Sequence, residues 1–201
     1  MDTLTILYTQ NINGNLQILP SLYTFLQSLK QDYDPQALTL DIGNACSNDV
    51  WHCDVTDGRS AVIVLDAMGY HAVNVTGFMT DNQRDSLGSG VSVGLISVRH
   101  MWRYFVPPLK DDDIVIAGQA TPAMRLCIVA NPHTQNSLNN RMLELQAIKH
   151  AQIGLVQVDM QDLVIIEQNV FDLPKGTKPN PTISASVDLV VEEAEFISKR
   201  R

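Results

Sequence analysis

The first eighty residues repeat one order three times: an apolar strand, a polar loop and a helix. Leu4 to Thr9 predicts a buried strand that opens into a polar loop. Ala37 to Ile42 predicts a second strand, which ends at Gly43-Asn44, and His71 to Val75 predicts a third. This order favours parallel strands joined by crossover helices, and such folds place their sites at the carboxyl ends of the strands.

Helical spacing follows the first strand, where Pro20 stands near a helix start and the apolar positions are Leu22, Phe25, Leu26 and Leu29. A second helix is predicted from Asp57 through Met68, with Gly69 as its stop, although its β-branched residues also suit a strand. Residues 45–58 are polar and aperiodic. They predict a long loop that bears Trp51 and His52.

The second half of the chain predicts mixed or antiparallel strands separated mostly by turns. The candidate strands are Val91–Val98, Asp113–Ala117, Arg125–Ala130, Ile153–Val158 and Leu163–Glu167. A hairpin is predicted over 157–163, whereas 142–149 suits a helix and a strand equally well. From Thr182 the tail predicts a terminal helix over about 182–198, preceded by Pro181, with an apolar face of Ile183, Val187, Val190, Val191, Ala194 and Ile197.

Charge and composition exclude several classes of partner. Lys plus Arg number 14 against 22 for Asp plus Glu, a net charge of −8, which argues against nucleic acid and anionic membranes as partners. The segment Met1–Thr5 lacks the basic and apolar parts of a signal peptide, and no run reaches the roughly 18–20 apolar residues of a membrane span. Three cysteines cannot all pair within the chain. We expect one domain over 1–201 in a reduced, cytoplasmic setting.

Three loops carry a resemblance to a known family; they are 9–16 (TQNINGNL), 38–44 (LTLDIGN) and 67–79 (AMGYHAVNVTGFM). Taken in order, they resemble the calcineurin-like metallophosphoesterases, specifically the N-terminal domain of the 5′-nucleotidase branch. In that family the loops read Thr-Asn-Asp-x-His-Gly-Asn, Gly-Asp and Gly-Asn-His-Glu. Residues 151–197 resemble the family's closing hairpin and helix more loosely, and 99–150 are hard to register. The resemblance implies a sandwich-like α/β fold, without the C-terminal domain that helps 5′-nucleotidases bind the nucleoside.

The departures from the family pattern fall on its ligand positions. In the family these side chains bind two divalent metals or protonate the leaving group, and the corresponding positions here are Asn11, Asn13, Asn44, Gly77 and Phe78. Two alternatives stay open for the later histidine motifs. In one, 132–135 (PHTQ) is the relic of a Gly-His-Thr-His loop, with His133 retained and Gln135 in place of the second histidine. In the other, Ile114–Ala117 and Arg125–Ala130 form the hairpin before those motifs, which are then deleted.

Because the charged ligands of the family are missing here, the sequence predicts that the metals are not bound. Two divalent ions bring four positive charges into a small site, and neutral amides are poor substitutes for carboxylates. The bridging Asp of the family holds the metals about 3.5–4 Å apart, and Asn44 offers one neutral oxygen in its place. The sequence therefore predicts no metal, no cofactor and no catalytic residue, and a vestigial site of Asn11, Asn13, Asn44, Gly77, Phe78, His133 and Gln135.

Some of these residues have a simpler structural interpretation. Asn11, Asn13, Asn15 and Asn44 are expected first as turn formers that hydrogen-bond to their own backbone. Cys46, His52, Cys53 and His71 could form a zinc site, but their spacing matches no known zinc finger. Free thiols in a loop are therefore the favoured alternative. Trp51, Trp102 and Tyr104 are expected as packing residues.

The function predicted first is a noncatalytic binding or interaction module, whose partner is an unknown protein or a small polar ligand. The alternative is a residual or repurposed phosphoesterase that uses His133 and a single metal. A third hypothesis is an assembly subunit, a homo-oligomer that associates through the apolar stripe of the last helix.

Overall fold

The structure is a computed structural model that describes residues 3–105, 113–121 and 125–200. Its strands are β1 Thr3–Thr9, β2 Leu38–Asp41, β3 Ala72–Asn74, β4 Gly94–Ile96, β5 Met101–Phe105, β6 Asp113–Ala117, β7 Leu126–His133, β8 Ser137–Asn139, β9 Met142–Gln146, β10 Gln152–Asp159 and β11 Val164–Asp172. Its helices are α1 Leu19–Tyr33, α2 Trp51–Val55, α3 Arg59–Ala67, α4 Asp81–Gly88 and α5 Pro181–Ser198.

The first sheet has the strand order β11-β10-β1-β2-β3-β4. Strands β1 to β4 are parallel, as the repeated strand–loop–helix order predicts. The hairpin β10–β11 closes this sheet on the outer side of β1, where β10 runs antiparallel to it. The prediction of a βαβ first half and a late hairpin is therefore confirmed.

The second sheet has the order β5-β6-β7-β9-β8. Strands β6, β7 and β9 are parallel, and β5 and β8 pair antiparallel at the two edges. Because β6 and β7 are parallel, the prediction that Ile114–Ala117 and Arg125–Ala130 form a hairpin is wrong. Residues 142–149, whose sequence suits a helix and a strand equally well, contain strand β9.

The two sheets pack face to face, and the helices cover the outer face of the first sheet. Ile6, Tyr8 and Leu40 are buried in the core between the sheets, whereas Leu7 lies in the core under the helices. Strand β1 is thus buried on both faces, which explains its continuous apolar sequence. Helix α5 packs on α1 and α3 through the predicted stripe, of which Ile183, Val187, Val190 and Ala194 are buried. The predicted sandwich-like α/β fold is confirmed.

Two helices were not predicted from the sequence. Helix α2 lies inside the predicted loop 45–58 and is only five residues long, with His52 and Cys53 buried. Helix α4 has little apolar character, so helical spacing cannot reveal it. Its sequence signal is a capping box, in which Thr80 accepts from the Gln83 backbone and Gln83 reaches back to Thr80. By contrast, α3 forms as predicted despite its β-branched residues.

Trp102 and Tyr104 pack against the core between the sheets, which confirms the packing interpretation for both. Trp51 is 47% exposed, so that interpretation is wrong for Trp51. In the described part of the chain, no helix has both the length and the apolarity to cross a bilayer.

Candidate functional site

The loops that follow β1 and β2 run side by side beyond the ends of the strands. The backbone N–H groups of Asn11 and Asn13 donate to the carbonyls of Gly43 (3.1 Å) and Asn44 (2.7 Å), and Gly14 donates to Ala45 at 2.9 Å. The parallel pairing of the strands therefore continues into the loops. This places the first two predicted site segments together at the carboxyl edge of the first sheet.

Three asparagines hold the turns in these loops. Asn11, Asn13 and Asn44 have φ values of 59°, 52° and 59°, in the left-handed region that asparagine tolerates better than most residues. The three residues occupy left-handed turn positions, as the turn-former interpretation expects. Asn13 hydrogen-bonds to the backbone of its own loop, whereas the side chain of Asn11 bonds to Ile148 and that of Asn44 to Asn11. Asn15 has an ordinary φ of −76°, so it does not require a residue of this kind.

The amide side chains bind one another and the neighbouring backbone. Nδ2 of Asn44 donates to Oδ1 of Asn11 at 2.8 Å, and Nδ2 of Asn11 donates to the carbonyl of Ile148 at 2.8 Å. Nδ2 of Asn13 donates to the Asn11 carbonyl at 3.1 Å. The space between Asn11 and Asn44 is thus closed by a direct hydrogen bond.

The imidazole of His150 also lies at this edge, and it was not predicted from the sequence. Its Nδ1 lies 3.1 Å from the Asn11 carbonyl and its Nε2 lies 3.3 Å from Nδ2 of Asn15. A carbonyl only accepts, so the contact with Asn11 fits a proton on Nδ1 of His150. The residue falls in the stretch that could not be registered with the family, and no motif marks it.

Gly77 and Phe78 follow β3 but take different positions. Gly77 is exposed with φ 93°. Phe78 is buried in the core under the helices and packs on Gly58, where a Cβ would lie 2.5 Å from the phenyl Cδ2. Gly58 also has a left-handed φ of 78°, so a side chain there would be strained twice over.

His133 ends strand β7, so 132–133 continue a strand and are not a loop. Its Nδ1 lies 3.7 Å from Oε1 of Glu144 on β9, and its carbonyl accepts from the N–H of Ala147 at 2.7 Å. Ala147 precedes Ile148, the residue that binds Asn11, so the β7 terminus neighbours the strand-end loops through the backbone. Gln135 is exposed beyond the strand.

A fully buried carboxyl, Asp41, lies at the end of β2. Its oxygens accept from the Thr9 hydroxyl (2.9 Å) and the Gly43 N–H (3.1 Å), and Thr9 in turn lies 3.1 Å from the Tyr70 hydroxyl. Burial raises the pKa of Asp41 to about 7, partly offset by those two hydrogen bonds. Because Asp41 sits inside an apolar strand sequence, pattern reasoning passed over it. Its contacts anchor the turn that carries Asn44.

Cys46 and Cys53 form a disulfide, so the prediction of free thiols is wrong for this pair. His52 between them is buried, with Nε2 2.9 Å from the Gly14 carbonyl and Nδ1 2.9 Å from the Ser60 hydroxyl. Burial lowers the pKa of His52, and the hydrogen bond to Gly14 partly offsets the effect. The disulfide therefore ties α2 to the loop after β2, and the contact of His52 with Gly14 holds α2 against the loop after β1.

The four-residue zinc alternative is also wrong. Nδ1 of His71 accepts from the Thr39 N–H at 2.9 Å, at the amino end of β3, far along the sheet from the cysteines. Within residues 3–105, 113–121 and 125–200, only one place brings together the ligand atoms of three or more His, Cys, Asp or Glu residues. It is formed by Cys46, His52 and Cys53. There the two sulfurs are bonded to each other. The reduced setting inferred from unpaired cysteines loses that support; Cys127 remains a buried free thiol.

The same architecture occurs in solved phosphoesterases. The chain matches the calcineurin-like phosphoesterase YfkN from Bacillus subtilis with a TM-score of 0.61 at 10% identity, over 98% of this chain and 99% of that one. The chain has the calcineurin-like phosphoesterase fold. It also matches the NAD nucleotidase NadN of Haemophilus influenzae (0.61, 11%), over 98% of this chain and 60% of that chain, and a Mycoplasma pneumoniae phosphatase (0.54, 9%), over 92% and 97%. No protein-family profile and no curated protein sequence matches.

At identities near 10% this likeness establishes the calcineurin-like phosphoesterase fold and no more. It agrees in fold with the resemblance, which was carried mainly by the loop sequences after β1, β2 and β3. Within that fold, the edge that carries Asn11 and Asn44 presents amide side chains, the imidazole of His150 and backbone carbonyls. Such a set can donate and accept hydrogen bonds, but it provides no anionic group to balance a dication.

Proposed function

We propose that this chain is a noncatalytic protein built on the phosphoesterase fold, and that its strand-end loops act as a binding or interaction module. The hydrogen bond from Nδ2 of Asn44 to Oδ1 of Asn11 carries the proposal. These two residues stand where the resemblance puts the first-loop and second-loop metal ligands. Their side chains bind each other and leave no pair of oxygens facing an ion between them.

Charge supports the same conclusion. Divalent metals in a dinuclear site need carboxylate or imidazole ligands in the first shell to offset four positive charges. The nearest acid in the strands is Asp41, and both its oxygens are engaged by Thr9 and Gly43. Alternation along β2 directs Asp41 to the opposite face from Leu40, and therefore under the helices. Asp41 therefore supports the loop after β2 from the helix-covered face of the sheet, and it does not serve as a ligand at the exposed edge.

The exposed part of this edge favours a neutral polar ligand or a protein partner. Asn13, Asn15, Asn44 and His150 are exposed and alternate donors with acceptors. Neutral groups of this kind recognise amides, hydroxyls and backbone through hydrogen bonds without the counterion effects of a charged site. The turns that present them are held by backbone hydrogen bonds and are already formed.

The test is an assay of the full chain with Mn²⁺ and generic phosphomonoesters and phosphodiesters. We expect no turnover above the metal-only rate, because phosphate-ester hydrolysis is among the slowest uncatalysed reactions and a partial site accelerates it little. Turnover that is abolished in His133→Ala and retained in His100→Ala would contradict the proposal.

A residual phosphoesterase is the second candidate, and one observation favours it. Nδ1 of His133 lies 3.7 Å from Oε1 of Glu144, which is within ion-pair range but longer than a hydrogen bond. Under this alternative, Glu144→Gln lowers turnover while His150→Ala leaves it unchanged. If the proposal is correct, neither variant differs from the wild type, because the wild type itself has no turnover.

A further inference from the structure

Three side chains that can bind a metal converge beside the strand-end loops. The ligand atoms of Cys46, His52 and Cys53 all lie within 4.8 Å of one another, and all three residues are buried. In the part of the chain that the structure describes, no other place brings three such groups together. The two sulfurs are bonded to each other, so a metal can use them only after that bond has been reduced.

The ring of His52 is oriented like that of a metal-binding histidine. Its Nε2 lies 2.9 Å from the Gly14 carbonyl, and because a carbonyl only accepts, Nε2 carries a ring proton. In the neutral ring the lone pair is then on Nδ1, where the Ser60 hydroxyl lies 2.9 Å away. Histidines that bind metals commonly donate their other N–H to a backbone carbonyl, which fixes the ring and its tautomer. The contact with Gly14 provides this support for His52.

Charge and spacing favour a zinc ion at this place. Two cysteine thiolates cancel the charge of one Zn²⁺, so the buried complex has no net charge. With Zn–S bonds of about 2.3 Å and a Zn–N bond of about 2.0–2.1 Å, the ligand atoms of a tetrahedral site lie about 3.5–3.8 Å apart. The ligand atoms here are within 4.8 Å of one another, so side-chain rotations are sufficient to reach that spacing. Three protein ligands leave a fourth position for water.

We propose that reduction by a dithiol converts this cluster into a zinc site, in which Sγ of Cys46, Sγ of Cys53 and Nδ1 of His52 bind one Zn²⁺. The dithiol supplies two electrons and two protons, so the protein disulfide becomes two thiols and the dithiol becomes a disulfide. Zinc then displaces the two thiol protons. Because Cys46 follows β2 and Cys53 lies in α2, zinc joins the same two segments as the disulfide does.

The cluster lies close to the surface of the molecule. Asn48, Asp49 and Trp51, in the segment that leads from Cys46 into α2, are exposed. Helix α2 has only five residues, and a helix this short has little stability of its own. Local opening of this segment therefore admits the reductant and the metal without unfolding of the sheet.

This site shares no ligand with the strand-end positions of the proposed function. Asn11 and Asn44 contribute no atom to the cluster. Zinc that is bound without the cysteines would contradict the proposed noncatalytic function and leave this site untouched. Absence of zinc from the reduced chain would contradict this site alone.

The test compares the oxidised full chain with the chain reduced by dithiothreitol, which is then removed by gel filtration in the absence of oxygen. Both forms are dialysed against Zn²⁺, and the bound zinc is measured by elemental analysis. We expect about one ion per reduced chain and far less than one per oxidised chain. Equal zinc in the two forms, or no zinc in the reduced form, would overturn the proposal.

Variants assign the zinc to the three ligands. In the reduced chain, His52→Ala and Cys46→Ser should each weaken zinc binding by at least about ten-fold, since even a supporting partner of a ligand contributes that much. The matched controls are His100→Ala and Cys127→Ser, which remove a histidine and the remaining cysteine outside the cluster. The controls should change the affinity less than about two-fold. Unchanged binding in His52→Ala sinks the idea.

A measurement on the wild type avoids any folding defect of the variants. Diamide takes two electrons from the thiolate pair and two protons from water, so oxidation of the zinc-loaded chain should release one Zn²⁺ for each disulfide formed. Mass spectrometry should place that disulfide between Cys46 and Cys53. Zinc that stays bound after this disulfide has formed again would show that its ligands lie elsewhere.

Discussion

At the carboxyl ends of β1 and β2 the amides of Asn11 and Asn44 hydrogen-bond to each other, whereas beside β4 the buried Nη1 of Arg84 has no acceptor in the described residues. The resemblance puts the family's ligand positions at the first of these regions, and there the two amide side chains bind each other. The second region lies away from that edge, and its unpaired nitrogen is closed off from solvent. A polar region that binds itself serves structure first, whereas a buried donor without a partner carries a desolvation cost.

The largest expected effect comes from Asp41, which supports the strand-end region. Its pKa lies near 4 when unfolded and is raised to about 7 in the folded protein. Between these values the folded state holds a proton that the unfolded state releases. Stability is therefore greatest below about pH 4 for this group and falls as pH rises towards 7, by at most about 1.4 kcal/mol per pH unit.

Urea unfolding from pH 5 to pH 7 measures this slope. In Asp41→Asn, which keeps the shape and can still accept from Gly43, the fall should be much smaller. If the wild-type and variant curves run parallel, the carboxyl is not protonated in the folded protein and the support under the strand-end loop works differently.

The next effect tests the disulfide that ties α2 to the loop after β2. Closing a loop of about eight residues stabilises a protein by about 2.5 kcal/mol in the chain-entropy description. The double variant Cys46→Ser/Cys53→Ser should lose about that free energy of unfolding, as should the wild type under a thiol reductant.

Substituting Asn11 is expected to lower the free energy of unfolding slightly less than removing the disulfide does. Asn11→Ala forces alanine to φ 59° and removes two side-chain hydrogen bonds, for a loss of about 2 kcal/mol. Asn11→Gly keeps the turn and loses only the side-chain contacts, so it should cost about half as much. Equal losses in chemical denaturation would show that the left-handed turn contributes nothing.

The smallest effect has the opposite sign. Arg84→Met replaces a partly unsatisfied buried guanidinium with an apolar side chain, so the free energy of unfolding should stay level or rise by about 0.5–1 kcal/mol. A clear destabilisation, measured beside Arg99→Met, would mean that Arg84 is a structural ion pair with Asp85. The contrast between the two polar regions would then disappear.

Much of the fold was readable from the sequence because its signals are local and strong. Strand β1 is a continuous apolar run, α1 and α5 have apolar stripes, and the β10–β11 hairpin consists of two strand-like runs joined by a short polar turn. Helix α4 escaped because it has few apolar residues and only a capping box. The parallel pairing of β6 with β7 escaped because strand order is set by the whole sheet and not by the segment between two strands.

The candidate site was readable only in part for similar reasons. Asn11, Asn13 and Asn44 follow strand ends and could be located by sequence order, and the structure brings the three together. His150 and Arg84 carry no motif, since each gains its meaning from chain segments distant in sequence or from burial. Asp41 was hidden inside a hydrophobic strand, where only burial reveals that its charge is costly.

Metal stoichiometry is the most direct measurement of the central claim. Equilibrium dialysis of the full chain against Mn²⁺ and Zn²⁺, followed by elemental analysis, should find far less than one ion per chain, and Cys46→Ser/Cys53→Ser serves to separate any cysteine-bound zinc. Two ions per chain that persist in the cysteine variant and are lost in His133→Ala would contradict the account.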